Sequence, residues 1–367
     1  MNSKIPFGSL TCVVAAVAAV ALCTLGMQAQ NAPAIQVLPV KGNIYMMLGA
    51  GANIVASVGR DGVLLVDTGR AEMADNVIRA YKALANRVMS APVAISTCVG
   101  PGCPPSSPWG WNNPEFTGNT VERLPAKPLR FIINTNDDPD HVGGNAKVRL
   151  SGLSFTGGNI TGTITDSDRG AAMLSHQNAL NRMSGAVEGF PRLESDALPT
   201  ESFEKEMYKL SQFFNGEGVQ MFHQTGHSDG DVMVWFRYSD VIAAGDVYSS
   251  EHYPVIDVKR GGSIDGELAA LNQMLDVAYA EFRSQGGTYI IPSHGRLSDV
   301  ADVAYYRNMI SIIRDRIQDA IKKGMTLEQV KAAKLTLDYD GRWGATTGPW
   351  TTSMFVEAAY RSLSAKK

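Results

Sequence analysis

This sequence has few histidines, few cysteines and a small net charge. Its 367 residues include 6 histidines and 4 cysteines, and the formal net charge is −3. Nucleic acids and anionic membranes bind basic surfaces, so the slightly acidic balance argues against either as a main partner. No short-period repeat or low-complexity tract is visible. With 44% hydrophobic and 19% charged residues, the chain has the composition of a folded protein with an ample core.

The N-terminus departs from this composition. Lys4 precedes an apolar run at 10–25, and a small residue, Ala29, stands near a suitable cleavage point. This layout predicts a secretory signal peptide at 1–30 and hence a periplasmic or secreted protein. No stable membrane insertion is expected after the leader is cleaved. The alternative interpretation is a single membrane anchor.

Cysteine usage agrees with export. Cys12 and Cys23 fall in the predicted leader, which leaves Cys98 and Cys103 in the mature chain. These two lie in a long irregular insertion at 91–128 that is rich in proline, glycine, serine and asparagine. A local disulfide is expected in an oxidising compartment. The rival interpretation is a two-cysteine metal site, although no other soft ligand lies nearby in sequence.

The rest of the chain alternates twice between strands and helices. In the first half, strands are predicted at 35–40, 43–48, 53–58, 62–67 and 129–133, with a helix at 71–84. In the second half, strands are predicted at 218–223, 232–238, 241–244 and 288–291, with helices at 264–282 and 300–323. Two sheets between layers of helices, an α/β architecture, would satisfy this order.

Polar residues that can bind a metal follow several of these predicted strands. The strand at 129–133 ends in a turn that contains Asn136, Asp138, Asp140 and His141. Three further residues of this kind stand at other strand ends: His227, Asp246 and His294. A side chain at such a place is held by the strand and yet faces a cleft, which is how metal sites are assembled from distant parts of a sequence.

The turn resembles the H-x-H-x-D-H loop of the metallo-β-lactamase superfamily. Asn136 and Asp138 stand where the family has histidine, whereas Asp140 and His141 are retained. The resemblance runs from about residue 35 to the C-terminus, with family-like turns at 43–45, 67–69, 226–227, 245–246 and 294–295. It implies an αββα sandwich of two mixed β-sheets flanked by helices. The sandwich would occupy 31–300, with a C-terminal helical extension at 301–367 packed on the same domain.

The resemblance also implies two metal positions. The first would use Asp140, His141 and His294, with Asp246 bridging the two positions, and the second would use Asn136, Asp138 and His227. An amide oxygen is a poor donor to zinc, so the second position becomes rich in oxygen and weaker for zinc. One or two divalent ions are therefore expected, zinc first, with manganese or iron as alternatives. Asn136 could instead stabilise the loop through a hydrogen bond.

The implied chemistry is metal-assisted hydrolysis of a small molecule: an ester, lactone, amide or thioester. Asp140 would both bind the metal and orient the nucleophile, and Asp138 would act as a base if it does not bind metal. Supporting contacts are expected from Thr135, Asp67 and Ser228. β-Lactams belong to this substrate set, although family enzymes that open them generally lack the bridging aspartate seen here as Asp246. The alternative hypothesis is a catalytically impaired binding or scaffold protein that keeps the fold.

Overall fold

The computed structural model describes residues 34–90, 125–154, 170–278 and 287–365. The predicted signal peptide, the Cys98–Cys103 pair and nearly all of the predicted insertion lie outside these residues. In the described part of the chain, no helix has the length and apolar character needed to span a bilayer.

The first sheet has seven strands that follow one another in chain order across the described residues. They are β1 (Gln36–Lys41), β2 (Ile44–Leu48), β3 (Ile54–Gly59), β4 (Gly62–Val66), β5 (Leu129–Ile133), β6 (Ala172–His176) and β7 (Glu201–Phe203). The strands β1 to β4 pair antiparallel through short turns, and β4 to β7 pair parallel. A parallel pair requires a crossover, which explains why helices separate these later strands.

The second sheet has six described strands in the order β13-β12-β11-β10-β9-β8. They are β8 (Met207–Lys209), β9 (Val219–Gln224), β10 (Asp231–Phe236), β11 (Val241–Ala243), β12 (Tyr289–Ile291) and β13 (Ser298–Asp299). All neighbours are antiparallel except β11 and β12, which are parallel. Both sheets are therefore mixed.

The α-helices cover the outer faces of the two sheets and form several of the connections. Those described are α1 (Ala74–Ser90), α2 (Pro139–Val142), α3 (Asn145–Leu150), α4 (Gln177–Met183), α5 (Ile264–Val277), α6 (Val300–Lys322), α7 (Leu327–Ala332), α8 (Leu337–Trp343) and α9 (Thr352–Ser364). Helix α6 begins with a capping box in which the Asp299 carboxylate accepts from the backbone of Asp302. Short 3-10 helices precede α1 at Ala71–Met73 and follow β11 at Gly245–Val247.

Apolar side chains fill three layers. Met46, Val55 and Phe236 belong to the layer between the two sheets. Tyr81 of α1 packs on the outer face of the first sheet, and Phe355 of α9 packs with α5 and α6 on the outer face of the second sheet. Each sheet is thus covered on both faces, which confirms the predicted αββα sandwich. The C-terminal helices share the core of the second sheet.

Most predicted elements agree with the structure to within a few residues. The strand predicted at 232–238 ends earlier, at Phe236. It ends there because the buried Glu217 carboxylate accepts from the backbone amides of Tyr238 and Ser239, which turns the chain. Asp240 in this turn has a φ of 54°, in the left-handed region.

The carboxyl ends of β4, β5, β11 and β12 lie at one edge of the sandwich. Two backbone hydrogen bonds join the sheets there: Val232 N to Thr135 O at 2.7 Å, and Asn53 N to Ser293 O at 2.7 Å. Loops that leave the two sheets consequently meet at this edge. The edge is where parallel strands of an open sheet usually present their ligand-binding residues.

Candidate metal centre

The predicted metal-binding loop follows β5 and leads directly into α2. Pro139 occupies the first helical position, where its missing N–H has no helical partner and its fixed φ favours the helix. Asp140 and His141 therefore lie in the first helical turn. The backbone amides of Thr68 and Gly69 donate to the carbonyl oxygen of His141 at 2.8 and 3.1 Å, which ties this turn to the end of β4.

Asp140, His141 and His294 form one group of candidate ligands, with Asp246 beside it. One donor atom from each of the first three lies within 4.8 Å of the others. His294 Nε2 is 3.4 Å from Asp140 Oδ2 and 4.0 Å from Asp246 Oδ1, and His141 Nε2 is 3.2 Å from Asp246 Oδ2. His141 is buried, whereas the side chains of Asp140 and His294 are 25% and 28% exposed, so the group opens to solvent on one side.

Asp67 fixes the ring of His141. Nδ1 of this ring is 2.8 Å from Asp67 Oδ2, and Thr135 Oγ1 donates to the same oxygen at 2.7 Å. A carboxylate only accepts hydrogen bonds, so the proton of the neutral ring is on Nδ1 and Nε2 keeps its lone pair. Nε2 is buried and lies 3.2 Å from Asp246 Oδ2. In the neutral ring this nitrogen has a lone pair that faces carboxylates and, among the described residues, no hydrogen-bond donor, which suits a metal ligand.

Opposite charges hold this group together electrostatically. Burial disfavours the charged form of His141, but the Asp246 and Asp67 carboxylates outweigh it and raise the pKa of the imidazole well above its usual range. Burial likewise disfavours ionised Asp246, yet His141 and His227 hold its pKa well below the usual range. The contact with His294 lowers the pKa of Asp140. The carboxylates are therefore ionised at neutral pH, as metal binding requires.

Asp138, His227 and Asp246 form the second group, again with donor atoms within 4.8 Å of one another. His227 Nε2 is 3.0 Å from Asp138 Oδ2 and 4.0 Å from Asp246 Oδ2. Nδ1 of His227 is 2.8 Å from the carbonyl oxygen of Val255, which can only accept, so Nδ1 carries a proton. Burial lowers the pKa of His227, but Asp138 and other carboxylates raise it to about 10.

Arg260 lies inside this second group. Its Nη1 contacts Asp138 Oδ1, and its Nη2 is 3.2 Å from His227 Nε2. Its Nε donates to Asp257 Oδ2 at 2.8 Å. Burial raises the pKa of Asp138, yet His227 and Arg260 hold it well below the usual range. The residues of the second position are thus engaged with a guanidinium and do not fit a second metal ion.

Asn136 uses both ends of its amide within the protein. Oδ1 accepts from the backbone N–H of Asp138 at 2.9 Å, and Nδ2 donates to Asp246 Oδ2 at 2.8 Å. A backbone donor on one side and a carboxylate acceptor on the other leave only this orientation of the amide. Asn136 therefore braces the loop and holds Asp246.

The expected supporting residues divide into two sets. Asp67 and Thr135 contact His141 directly, whereas Ser228 donates to Asp231 Oδ1 at 2.7 Å, behind the second group. Sequence reasoning missed Arg260, because no motif links it to the loop. It also missed the buried pair in which Arg182 donates to both carboxylate oxygens of Asp137, at 2.8 and 2.9 Å.

Two mixed sheets flanked by helices are the architecture of the metallo-β-lactamase fold, and here the candidate metal ligands lie at the strand ends. No model of a known family and no curated protein matches the sequence. Solved structures do match. A double mutant of the sec-alkyl sulfatase PisA1 is 14% identical with a TM-score of 0.55, and the stereoselective inverting sec-alkylsulfatase Pisa1 from Pseudomonas sp. is 14% identical with a TM-score of 0.51. Each match covers 89% of this chain and 50% of the sulfatase chain.

Metallo-β-lactamases are also among the matches. The DIM-1 metallo-β-lactamase is 12% identical, with a TM-score of 0.48. The match covers 76% of this chain and 98% of the lactamase chain. At 14% identity, the likeness to the two alkylsulfatase structures establishes the fold and leaves substrate and mechanism to the residues of the site.

Proposed function

We propose that this chain is a metal-dependent hydrolase whose ion is bound by Asp140, His141, Asp246 and His294. The observation that carries the proposal is the convergence of donor atoms: the buried Nε2 of His141 lies 3.2 Å from Asp246, and one donor atom each of Asp140 and His294 lies within 4.8 Å of the His141 ring. Here Asp67 takes one nitrogen and leaves the other facing ionised carboxylates, an arrangement that a divalent cation would complete.

The residues present suit the reaction in the following way. A divalent ion supplies a lowered water pKa, from about 15.7 toward about 7, and polarises a carbonyl oxygen. Asp140 is partly exposed beside this position, so it can both bind and orient the nucleophile that enters from solvent. Asp138 is a weak base because Arg260 and His227 keep its pKa low. We assign proton handling to Asp140 rather than to Asp138 because Asp140 belongs to the first position, whereas Asp138 is paired with Arg260.

The first experiment measures metal content. Purified protein, stripped with a chelator and reloaded separately with zinc, manganese or iron(II), should retain metal through gel filtration. Asp140→Ala/His294→Ala should lose it and stay folded, because both side chains are partly exposed. Lys331→Ala/Glu357→Ala removes an ion pair of similar exposure on α7 and α9 and should keep the metal.

The second experiment asks for activity. Metal-loaded protein should hydrolyse a member of a panel of esters, lactones, amides, thioesters and β-lactams. Secondary alkyl sulfates join the panel because two structural neighbours are named for them. A wild-type protein that binds no metal, is equally stable without it and hydrolyses nothing would favour the binding or scaffold alternative.

We also propose export, on the composition of the N-terminus. The apolar run at 10–25 behind Lys4 supports a cleaved leader. N-terminal sequencing of protein expressed from the full gene in a bacterium with a periplasm should show a start close to residue 31. Full-length protein in the membrane fraction would instead support an anchor. Thiol titration of the exported protein tests the predicted bond between Cys98 and Cys103, which should leave no reactive thiol.

A further inference from the structure

Arg260 belongs to a turn that is built onto the loop carrying His227. The backbone amide of Asp257 donates to the His227 carbonyl oxygen at 2.9 Å, and the amide of Asp229 donates to the Arg260 carbonyl oxygen at 2.8 Å. Gly262 in the same turn packs so closely that a Cβ there would lie 2.0 Å from the His227 carbonyl oxygen. Arg260 is thus fixed by the backbone next to His227.

The guanidinium lies against the groups that would bind a second ion. Its side chain is 12% exposed. Nη1 contacts Asp138 and lies 3.6 Å from Asp137 Oδ2, and Nη2 lies 3.2 Å from His227 Nε2. A zinc ion bound by His227 would be about 2.0–2.1 Å from the same nitrogen. A dication and a guanidinium would therefore compete for one space and repel each other.

Charge balance explains why a cation is needed there. Three carboxylates surround the guanidinium, namely Asp137, Asp138 and Asp257, and the shared Asp246 is 4.0 Å from His227. Arg182 neutralises Asp137 from the other side. Without Arg260, the half-buried Asp138 would lose one of its two counter-charges and keep only His227, at a cost in free energy.

We propose that Arg260 is a resident cation that replaces the second metal ion, so that the centre is mononuclear. The proposal rests on the proposed function because the single ion is the one at the first position. Arg260 here is a positioning residue: it holds Asp138 and the His227 loop beside the first position. The loss of both loop histidines and the presence of a fixed guanidinium are then two parts of one change.

The test is metal stoichiometry, measured by elemental analysis after gel filtration and by calorimetric titration. Wild type, Arg260→Met, Arg260→Lys and Arg316→Met are stripped and reloaded with manganese or zinc. Manganese suits the carboxylate-rich site that Arg260→Met would open. Arg316 is the matched control, since it pairs with Asp338 at 2.7 Å on α6, outside the metal centre.

We expect one ion per chain in wild type, Arg260→Lys and Arg316→Met, and two manganese ions in Arg260→Met. Two ions in wild type would overturn the proposal, and so would a folded Arg260→Met that still binds one. If Arg260→Met does not fold, a single ion in wild type together with two in the double variant Asn136→His/Arg260→Gln would support it. One ion in that double variant would overturn it.

Failure of the proposed function gives a different result. A wild type without any metal contradicts the hydrolase. Gain of one manganese ion on Arg260→Met would still support the role of Arg260, and no gain would refute that role as well. The two proposals are therefore separable in the same set of titrations.

Discussion

The two candidate metal positions share Asp246 and differ in how their other donors are occupied. At the first position, Asp67 holds one ring nitrogen of His141, and the other lies 3.2 Å from Asp246 with no cationic side chain of the described residues beside it except His294. At the second, Nε2 of His227 lies between Asp138 and Arg260. Under the two proposals, the first position is open for a metal ion and the second contains the guanidinium of Arg260. Asn136 and Asp138, which stand where the resemblance has histidine, would then be accompanied by a compensating charge from a turn that is distant in sequence.

The largest effect should come from the shared carboxylate. Asp246→Ala removes the oxygens 3.2 Å from His141 and 4.0 Å from His294, so bound metal should be lost and kcat/KM should fall by more than about 100-fold. Asp138→Ala changes only the second position and should retain one ion. Elemental analysis of both variants makes the measurement. If the two variants lost metal equally, the two positions would not differ in metal binding as proposed.

A smaller loss is expected from Asp67→Asn. The amide has one acceptor oxygen where the carboxylate has two and carries no negative charge, so it holds Nδ1 less strongly and metal affinity should fall by about 10–100-fold without unfolding. Asp67 has a left-handed φ of 66°, which asparagine tolerates. Asp240→Asn is the matched control, because Asp240 is also buried, has a φ of 54° and accepts from a threonine hydroxyl. If both variants bind metal like wild type, Asp67 does not orient His141.

Metal binding at the first position should release protons, because the carboxylates there favour the protonated form of His141. The carboxylates around His141 raise its pKa well above the usual range, so the metal-free ring is protonated at neutral pH and must lose a proton to bind. Affinity should fall by about tenfold per pH unit on acidification for each proton released. Calorimetric titrations in two buffers of different ionisation enthalpy give the proton count. No proton release at pH 7 would show that the His141 ring is neutral in the metal-free protein.

The sequence predicts the fold and the first position because both depend on local patterns. Apolar runs that end in polar residues mark β4, β5, β11 and β12, and Asp67, His141, Asp246 and His294 lie close behind these strand ends. Short exposed strands such as β7 and β8 carry too little apolar pattern to be recognised. Their existence depends on a neighbouring strand.

The second position could not be predicted in the same way. Arg260 reaches Asp138 because backbone bonds hold its turn against the His227 loop, and nothing in the 257–262 segment encodes that contact. The hydrogen bonds at both ends of the Asn136 amide likewise depend on the tertiary structure. The sequence pattern identifies the loop residues, but it does not show which of them contact a guanidinium that is distant in sequence.

The smallest effect on the metal centre is expected from Glu267, which lies behind the second position. It is fully buried, and neither carboxylate oxygen makes a hydrogen bond to any described residue. Burial, reinforced by Asp231, raises its pKa well above the usual range. The native state therefore binds a proton that the unfolded chain loses above its ordinary pKa, so this contribution to stability is present at acidic pH and is lost as pH rises.

Glu267→Gln should remove that pH dependence and leave metal stoichiometry unchanged. Relative to wild type, its free energy of unfolding should rise with pH above about 4.5, by up to about 1.4 kcal/mol per unit. Urea unfolding of the metal-free proteins at several pH values measures this difference. A constant difference would mean that Glu267 is ionised in the native state. If Glu267 were ionised, it would add a negative charge behind His227, and that charge would favour a cation at Arg260. A neutral Glu267 gives no such support, so the neutral form tests the comparison between the two positions more strictly.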